Sequence, residues 1–189
     1  MICMEWILST DVHVLFWLHR LAGPHMNSFI TLFTTGINCL WLWLGLAAAG
    51  LWNRRSRWIT LTIIVAVIAA VFIGDVVLKH VVMRIRPYIV IEGAPVVEAL
   101  KYPVSYSFPS GHSFFFFAGA TVIYCYRQRL GILAYGLAAV VAFSRMYLFM
   151  HFPSDVLAGA VLGVGVGYGA YRICQYAKKR FFMRHSLYR

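Results

Sequence analysis

Three short stretches of this chain gather side chains that can hold and move a phosphoryl group. Lys79 and Arg86-Pro87 put two cations at the end of one apolar run. Pro109-Ser110-Gly111-His112 opens the next, and Ser144-Arg145 through His151 to Asp155 places an arginine, an imidazole and a carboxylate where a third run ends. Seven residues make two helical turns, so on a continuous helix Lys79 and Arg86 share one stripe while Arg84 points elsewhere. Pro87 ends that helix by pushing its predecessor out of the helical region. A snorkelling pair at a span end is the plainer account of these two cations. In the second stretch proline suits a first helical turn and glycine permits close backbone approach, so the free N–H groups that follow make an anion pocket. Ser110 adds a hydroxyl donor and His112 an imidazole able to protonate a departing oxygen. The same residues also read as an ordinary helix start with an interfacial histidine. In the third stretch Pro153 begins a helix, with Asp155 in its first turn and able to reach His151. A carboxylate on one ring nitrogen fixes the tautomer and makes the other a better nucleophile or base. Arg145 has the planar fork that suits phosphate oxygens. Its alternative is an ion pair with Asp155 that caps the helix and leaves His151 a bystander. Together the three stretches read as one phosphate-handling site.

The elements that must position these residues are membrane helices. Of 189 residues, 61% are apolar, 16% aromatic and only 12% charged, and the mean hydropathy is +0.75. That composition excludes a soluble domain and implies a single membrane-embedded unit over residues 1–189. The net charge of +11 does not point to nucleic acid, because of where it lies. Arg54, Arg55 and Arg57, then Arg127 and Arg129, then Arg172, Lys178, Lys179, Arg180, Arg184 and Arg189 sit in three segments free of Asp and Glu. The remaining cations face all the acids. This alternation assigns the three basic segments, with the C-terminus, to the cytoplasm and the three phosphate-type stretches to the external face.

Residues 1–22 are apolar but interrupted by Glu5, Asp11, His13, His19 and Arg20, which predicts a helix lying in the interface, with a sixth span as the alternative. Spans are expected over 27–52, from Trp58 to about Lys79, from His112 to Tyr126, from Gly131 to Met150 and from Asp155 to Gln175. The fold class is therefore all-α, a bundle of five to six transmembrane helices. The rise from Arg57 to Lys79 is about 33 Å, one hydrocarbon thickness. Residues 87–108, with three prolines, form an outer loop. Asp75, one turn before Lys79, pairs with it structurally. Three overlapping G-x-x-x-G pairs from Gly159 to Gly169 allow close helix approach, either inside the bundle or across a homodimer seam. Cys3, Cys39, Cys125 and Cys174 read as small buried residues, neither metal ligands nor disulfides. No cleavable leader is evident, so the spans direct insertion.

Lys79 to Arg86-Pro87, Pro109-Ser110-Gly111-His112 and Ser144-Arg145 to His151 to Asp155 together resemble the three signature blocks of the type 2 phosphatidic acid phosphatases. The blocks cover residues 79–155; the first 78 residues are similar only in hydropathy. The resemblance implies a metal-independent lipid phosphatase without cofactor. In it His151 attacks phosphorus to form a phosphohistidine, Asp155 orients it, and His112 protonates the leaving oxygen. Lys79, Arg86, Ser110, Gly111 and Arg145 hold the phosphoryl oxygens. The short chain resembles small undecaprenyl pyrophosphate phosphatases of the bacterial plasma membrane, with phosphatidylglycerophosphate or phosphatidic acid as the alternative substrate. A non-catalytic lipid-binding protein is the alternative of another class. Two departures bear on substrate fit: members often carry glycine near Phe149, and smaller residues than Phe114-Phe115-Phe116-Phe117 after the second block.

Overall fold

The computed structural model describes residues 2–36, 45, 50–53, 56–95 and 103–186, and among these every regular element is helical. The order is α1 (Ile2–Gly36), α2 (Arg57–Val71), a π-helical turn (Phe72–Leu78), α3 (Lys79–Val82), α4 (Pro87–Val90), α5 (Gly111–Tyr126), α6 (Gln128–Tyr147) and α7 (Pro153–Ser186). Among the described residues, three stretches have the length and apolarity to cross a membrane: Arg57–Val90, Gln128–Tyr147 and Pro153–Arg180. This is an integral membrane protein. α5, with 16 residues, rises only about 24 Å. It runs in the middle of the bundle with Phe114, Phe116 and Ala118 to Val122 buried.

The small residues of α7 set the distance to α5. A Cβ on Gly159 would lie 2.6 Å from the Ser110 carbonyl oxygen, and on Gly163 and Gly167 it would collide with those of Phe114 and Ala118. Two of the three glycine pairs are thus used inside the bundle. Gly165 and Gly169, the third, have nothing within 4 Å of such a Cβ. Because a backbone oxygen cannot swing aside, Gly163→Ala is expected to destabilise the protein by about 2 kcal/mol. The measurement is thermal unfolding in detergent, and an unchanged midpoint would refute the packing argument. Phe114 and Phe116 fill core clusters with Ala66, Ala70 and Val122 on one side and Ala138 and Val141 on the other. The phenylalanine run is therefore chiefly core. Phe115 alone stands by the site, its ring 5.3 Å from that of His112.

At the N-terminus the structure departs from the expected interfacial helix followed by a separate span. α1 runs unbroken through Pro24 to Gly36, since a proline inside a helix removes one hydrogen bond and bends the axis without having to end it. Most of the expected 27–52 span lies outside the described residues. On α1, Ser9 and His13 lie one turn apart and are exposed. The opposite side docks: Leu15 is buried with Phe149 and Phe152, Phe16 stacks edge-on against Phe149, and His19 lies over Tyr147.

The charges separate by end. Thr62 meets the Tyr126 hydroxyl, Tyr126 meets Tyr171, and Lys178 approaches the Trp58 ring, so the Arg57, Arg127 and Lys178 regions share one end. The three signature stretches share the other.

Candidate active site

Three backbone hydrogen bonds tie the stretches together: Ser107 N to Arg84 O (2.7 Å), Ser110 N to Asp155 O (3.1 Å) and Tyr88 N to Phe149 O (3.1 Å). The first stretch does not arrive on a continuous helix. α3 ends at Val82, Met83 takes a left-handed conformation with φ of 48°, and residues 83–86 run non-helically to Pro87. The two-turn stripe proposed for Lys79 and Arg86 is therefore broken, and both Arg84 and Arg86 turn into the site. Phe149, in the α6–α7 connection, is the second left-handed non-glycine residue, with φ of 54°. That is the conformation glycine adopts freely and other residues at a cost of about 1–2 kcal/mol. Here the ring compensates by filling the space between α1 and that connection.

His151 is 3% exposed. Its Nδ1 lies 2.8 Å from the Ser107 carbonyl oxygen, and its Nε2 lies 3.2 Å from the nearer terminal nitrogen of Arg86. A carbonyl oxygen only accepts, so Nδ1 carries the proton and the Nε2 lone pair faces the arginine. Burial, and then the Arg86 and His112 charges, hold the ring well below an ordinary histidine pKa, against an opposing pull from the Ser107 bond. Because the folded-state value is depressed, the unfolded chain binds a proton that the folded chain refuses below about pH 6.5. Stability is full above that pH and falls below it, by about 1.4 kcal/mol per pH unit for one proton. Unfolding midpoints measured from pH 7.5 to 5.5 are expected to fall, and His151→Gln is expected to flatten the fall. An equal slope in the variant would contradict the assignment.

Asp155 is fully buried, but it does not grip the imidazole directly: its Oδ2 stands 4.0 Å from Nδ1, beyond hydrogen-bond reach. Ser107 intervenes. Its carbonyl takes the ring proton, and its hydroxyl donates to Asp155 Oδ2 at 2.5 Å, where the Phe152 N–H also donates at 3.0 Å. The cation on Asp155 is Arg84, whose NH1 reaches Oδ1 at 2.6 Å, in place of the Arg145 pairing considered from sequence. Ser107 and Arg84 are the residues sequence reasoning passed over. The sequence hint of Ser107 is its place three residues before Ser110, and Arg84 falls on the opposite face only of an unbroken helix, which the turn at Met83 rules out.

The remaining expected residues converge on the same place. Arg86, 2% exposed, is anchored by Nε on the Ser105 carbonyl (2.6 Å), NH1 on the Met150 carbonyl (2.8 Å) and NH2 on the Ser105 hydroxyl (3.0 Å). Ser110 is buried at the cap of α5 and accepts a bond from the Ser113 hydroxyl. Its own N–H is committed to Asp155, so its hydroxyl is what it can offer an anion. Arg145 is buried in the last turn of α6, one N–H toward the Met150 sulfur, and its carbonyl accepts the Met150 and His151 amides. His112 follows Gly111 in the first turn of α5, at the same end of the bundle. Lys79 pairs with Asp75 at 2.5 Å, as expected of that helical spacing. The π-helical turn, a feature frequent near functional sites, carries Asp75 against Gly111, where a Cβ would meet the carboxylate at 3.4 Å. A cavity of about 530 Å³ is lined by Asp75, Lys79, His80, Val104, Ser105 and Tyr106, and Ser105 is the residue that anchors Arg86.

The chain is similar to known membrane proteins along most of its length. The chain is 31% identical over 129 residues to an undecaprenyl-diphosphatase of Sulfolobus acidocaldarius, a match covering 68% of this chain and 61% of that protein. It is 31% identical over 149 residues to the putative undecaprenyl-diphosphatase YbjG of Escherichia coli, covering 78% and 69%. The crystal structure of a transmembrane PAP2 type phosphatidylglycerolphosphate phosphatase from Bacillus subtilis superposes with a TM-score of 0.64 at 22% identity, covering 92% of this chain and 87% of that one. The PAP2 superfamily model matches residues 58–179, a range that contains all three site-bearing stretches, and the chain belongs to that superfamily.

Proposed function

We propose that this protein is a membrane lipid phosphatase that works through a phosphohistidine. The observation that carries the reading is the Nδ1 bond from His151 to the Ser107 carbonyl, which leaves Nε2 as a lone pair in a cluster of buried cations. Nε2 attacks phosphorus, and the bond from phosphorus to the leaving oxygen breaks. His112 donates its proton to that oxygen. The neutral His112 then removes a proton from water, whose oxygen attacks phosphorus, breaks the P–N bond and frees phosphate. Arg86, Arg145, Lys79, the Ser110 hydroxyl and the Gly111 N–H neutralise the equatorial oxygens, the main requirement of phosphoryl transfer.

The preferred substrate is undecaprenyl diphosphate, in view of the two similar diphosphatases; phosphatidylglycerophosphate or phosphatidic acid is the second choice. The site faces outward in this reading, because Arg57, Arg127, Arg129 and the basic end of α7 lie at the far end of the bundle. Phosphate release from these three lipids, with and without chelator, is the test. Turnover of the diphosphate fastest and unaffected by chelator is expected. Lipid binding without hydrolysis would favour the non-catalytic reading instead.

A further inference from the structure

We infer that Asp11 and Arg84 are positioning residues for Asp155, and that Asp11 sets the net charge Asp155 presents to His151. This rests on reading His151 and Asp155 as the catalytic pair. Asp11 comes from α1, outside the region 58–179 that the family model matches.

Arg84 is forked across two carboxylates: NH1 donates to Asp155 Oδ1 at 2.6 Å and to the Ser154 hydroxyl at 2.7 Å, and NH2 donates to Asp11 Oδ2 at 2.8 Å. Its guanidinium carbon stands 4.0 Å above the Phe152 ring. Asp11 completes the cluster by accepting the Ser154 amide at 3.0 Å and the Ser154 hydroxyl at 2.5 Å. Both carboxylates are buried, Asp11 at 4% exposure and Asp155 at 0%, so their charges act through a medium that screens them little. One cation serving two anions leaves the cluster with one net negative charge. Paired with Arg84 alone, Asp155 would be cancelled.

That charge matters at one moment. When Nε2 bonds phosphorus while Nδ1 keeps its proton, the imidazole becomes cationic, and the nearest carboxylate oxygen is 4.0 Å away. A net negative cluster favours that state over the neutral ring of the free enzyme, so Asp11 acts through Arg84 on the covalent step and not on lipid binding. A residue that merely docks α1 would change folding or KM and would leave kcat alone.

The test compares wild type, Asp11→Asn, Arg84→Gln and the double variant for kcat, KM and the yield of acid-labile phosphoenzyme on one lipid phosphate. Asp11→Asn keeps the shape of the Ser154 contact; it is expected to lower kcat and phosphoenzyme formation about tenfold, with KM within about twofold. Arg84→Gln is expected to lower kcat at least as far, because two buried carboxylates then share a site and one takes up a proton. In Arg84→Gln that proton can sit on Asp155 and remove the charge facing His151; the double variant has no second carboxylate to share a proton with, keeps its charge on Asp155, and is expected to be more active than Arg84→Gln. Wild-type kcat in Asp11→Asn, or a double variant no better than Arg84→Gln, overturns the inference. Should Asp11→Asn not purify folded, Arg84→Lys decides, because an ammonium keeps the charge but cannot fork. Because that variant keeps the cluster at one net negative charge, a kcat well above that of Arg84→Gln at constant KM is then expected, and a kcat as low as that of Arg84→Gln, or a change confined to KM, overturns it. If His151→Ala still turns lipid over, the catalytic reading falls and this inference with it. If His151→Ala is inactive while Asp11→Asn matches wild type, only the inference falls.

Discussion

His151→Ala is expected to lower phosphate release by about 10⁴-fold or more on every lipid the wild type hydrolyses, and to abolish the covalent phosphoenzyme. The size of the effect follows from the part the imidazole plays in the proposed mechanism: it supplies the attacking lone pair, and no second imidazole is placed to replace it there. The fold is expected to survive. Truncation leaves the Ser107 carbonyl without its ring N–H donor, at about 2 kcal/mol. Arg86 still has the Ser105 and Met150 carbonyls, and Asp155 keeps Arg84 and the Ser107 hydroxyl. Phosphate assays and acid-labile labelling, with unfolding monitored in parallel, check both halves. A label mapped to another residue in the wild type would sink the mechanism.

Arg86→Lys is expected to be nearly as damaging as Arg86→Ala, each costing about 10³-fold in kcat/KM. Conservation of charge does not help here. The guanidinium uses Nε, NH1 and NH2 on different acceptors while one edge faces Nε2 of His151. An ammonium gathers its three donors on one atom and cannot reproduce that spread. Both variants are also expected to lose about 2–3 kcal/mol of stability, because the Ser105 and Met150 carbonyls are left without donors in a buried setting. Steady-state kinetics beside thermal unfolding separates the two effects. Full activity in Arg86→Lys would mean that the residue acts as a point charge and that its fork is irrelevant.

The parts of this site that could be read from sequence are those carried by residue type and local spacing. Lys79 with Asp75, the helix start at Gly111, and Pro153 opening α7 with Asp155 in its first turn all depend on contacts within a few residues. The convergence of the helix ends was legible too, from a different signal: span length and charge alternation predict which termini share a face. What escaped reading depends on where distant segments meet. Asp11 lies 73 residues before Arg84, and Ser107 lies 44 before His151, so no periodicity links them. The helix break at Met83 escaped because the nearest proline is four residues on and methionine is a good helix former. That one left-handed residue moved Arg84 from bystander to partner of Asp155. The contact of Asp155 with His151 was likewise anticipated as direct, because helical spacing cannot reveal a serine inserted from another loop.

The main-chain contact between α5 and α7 has a further consequence. Gly159 abuts the Ser110 carbonyl, and the same Ser110 amide is bonded to the Asp155 carbonyl, so the gap between the helix that carries His112 and the helix that carries Asp155 is gauged by polypeptide alone. Rotamers elsewhere in the bundle can hop, and lipid-facing residues can diversify over evolutionary time, without retuning that spacing. Such a rigid caliper keeps the proposed reaction centre constant whatever side chains line the surface around it.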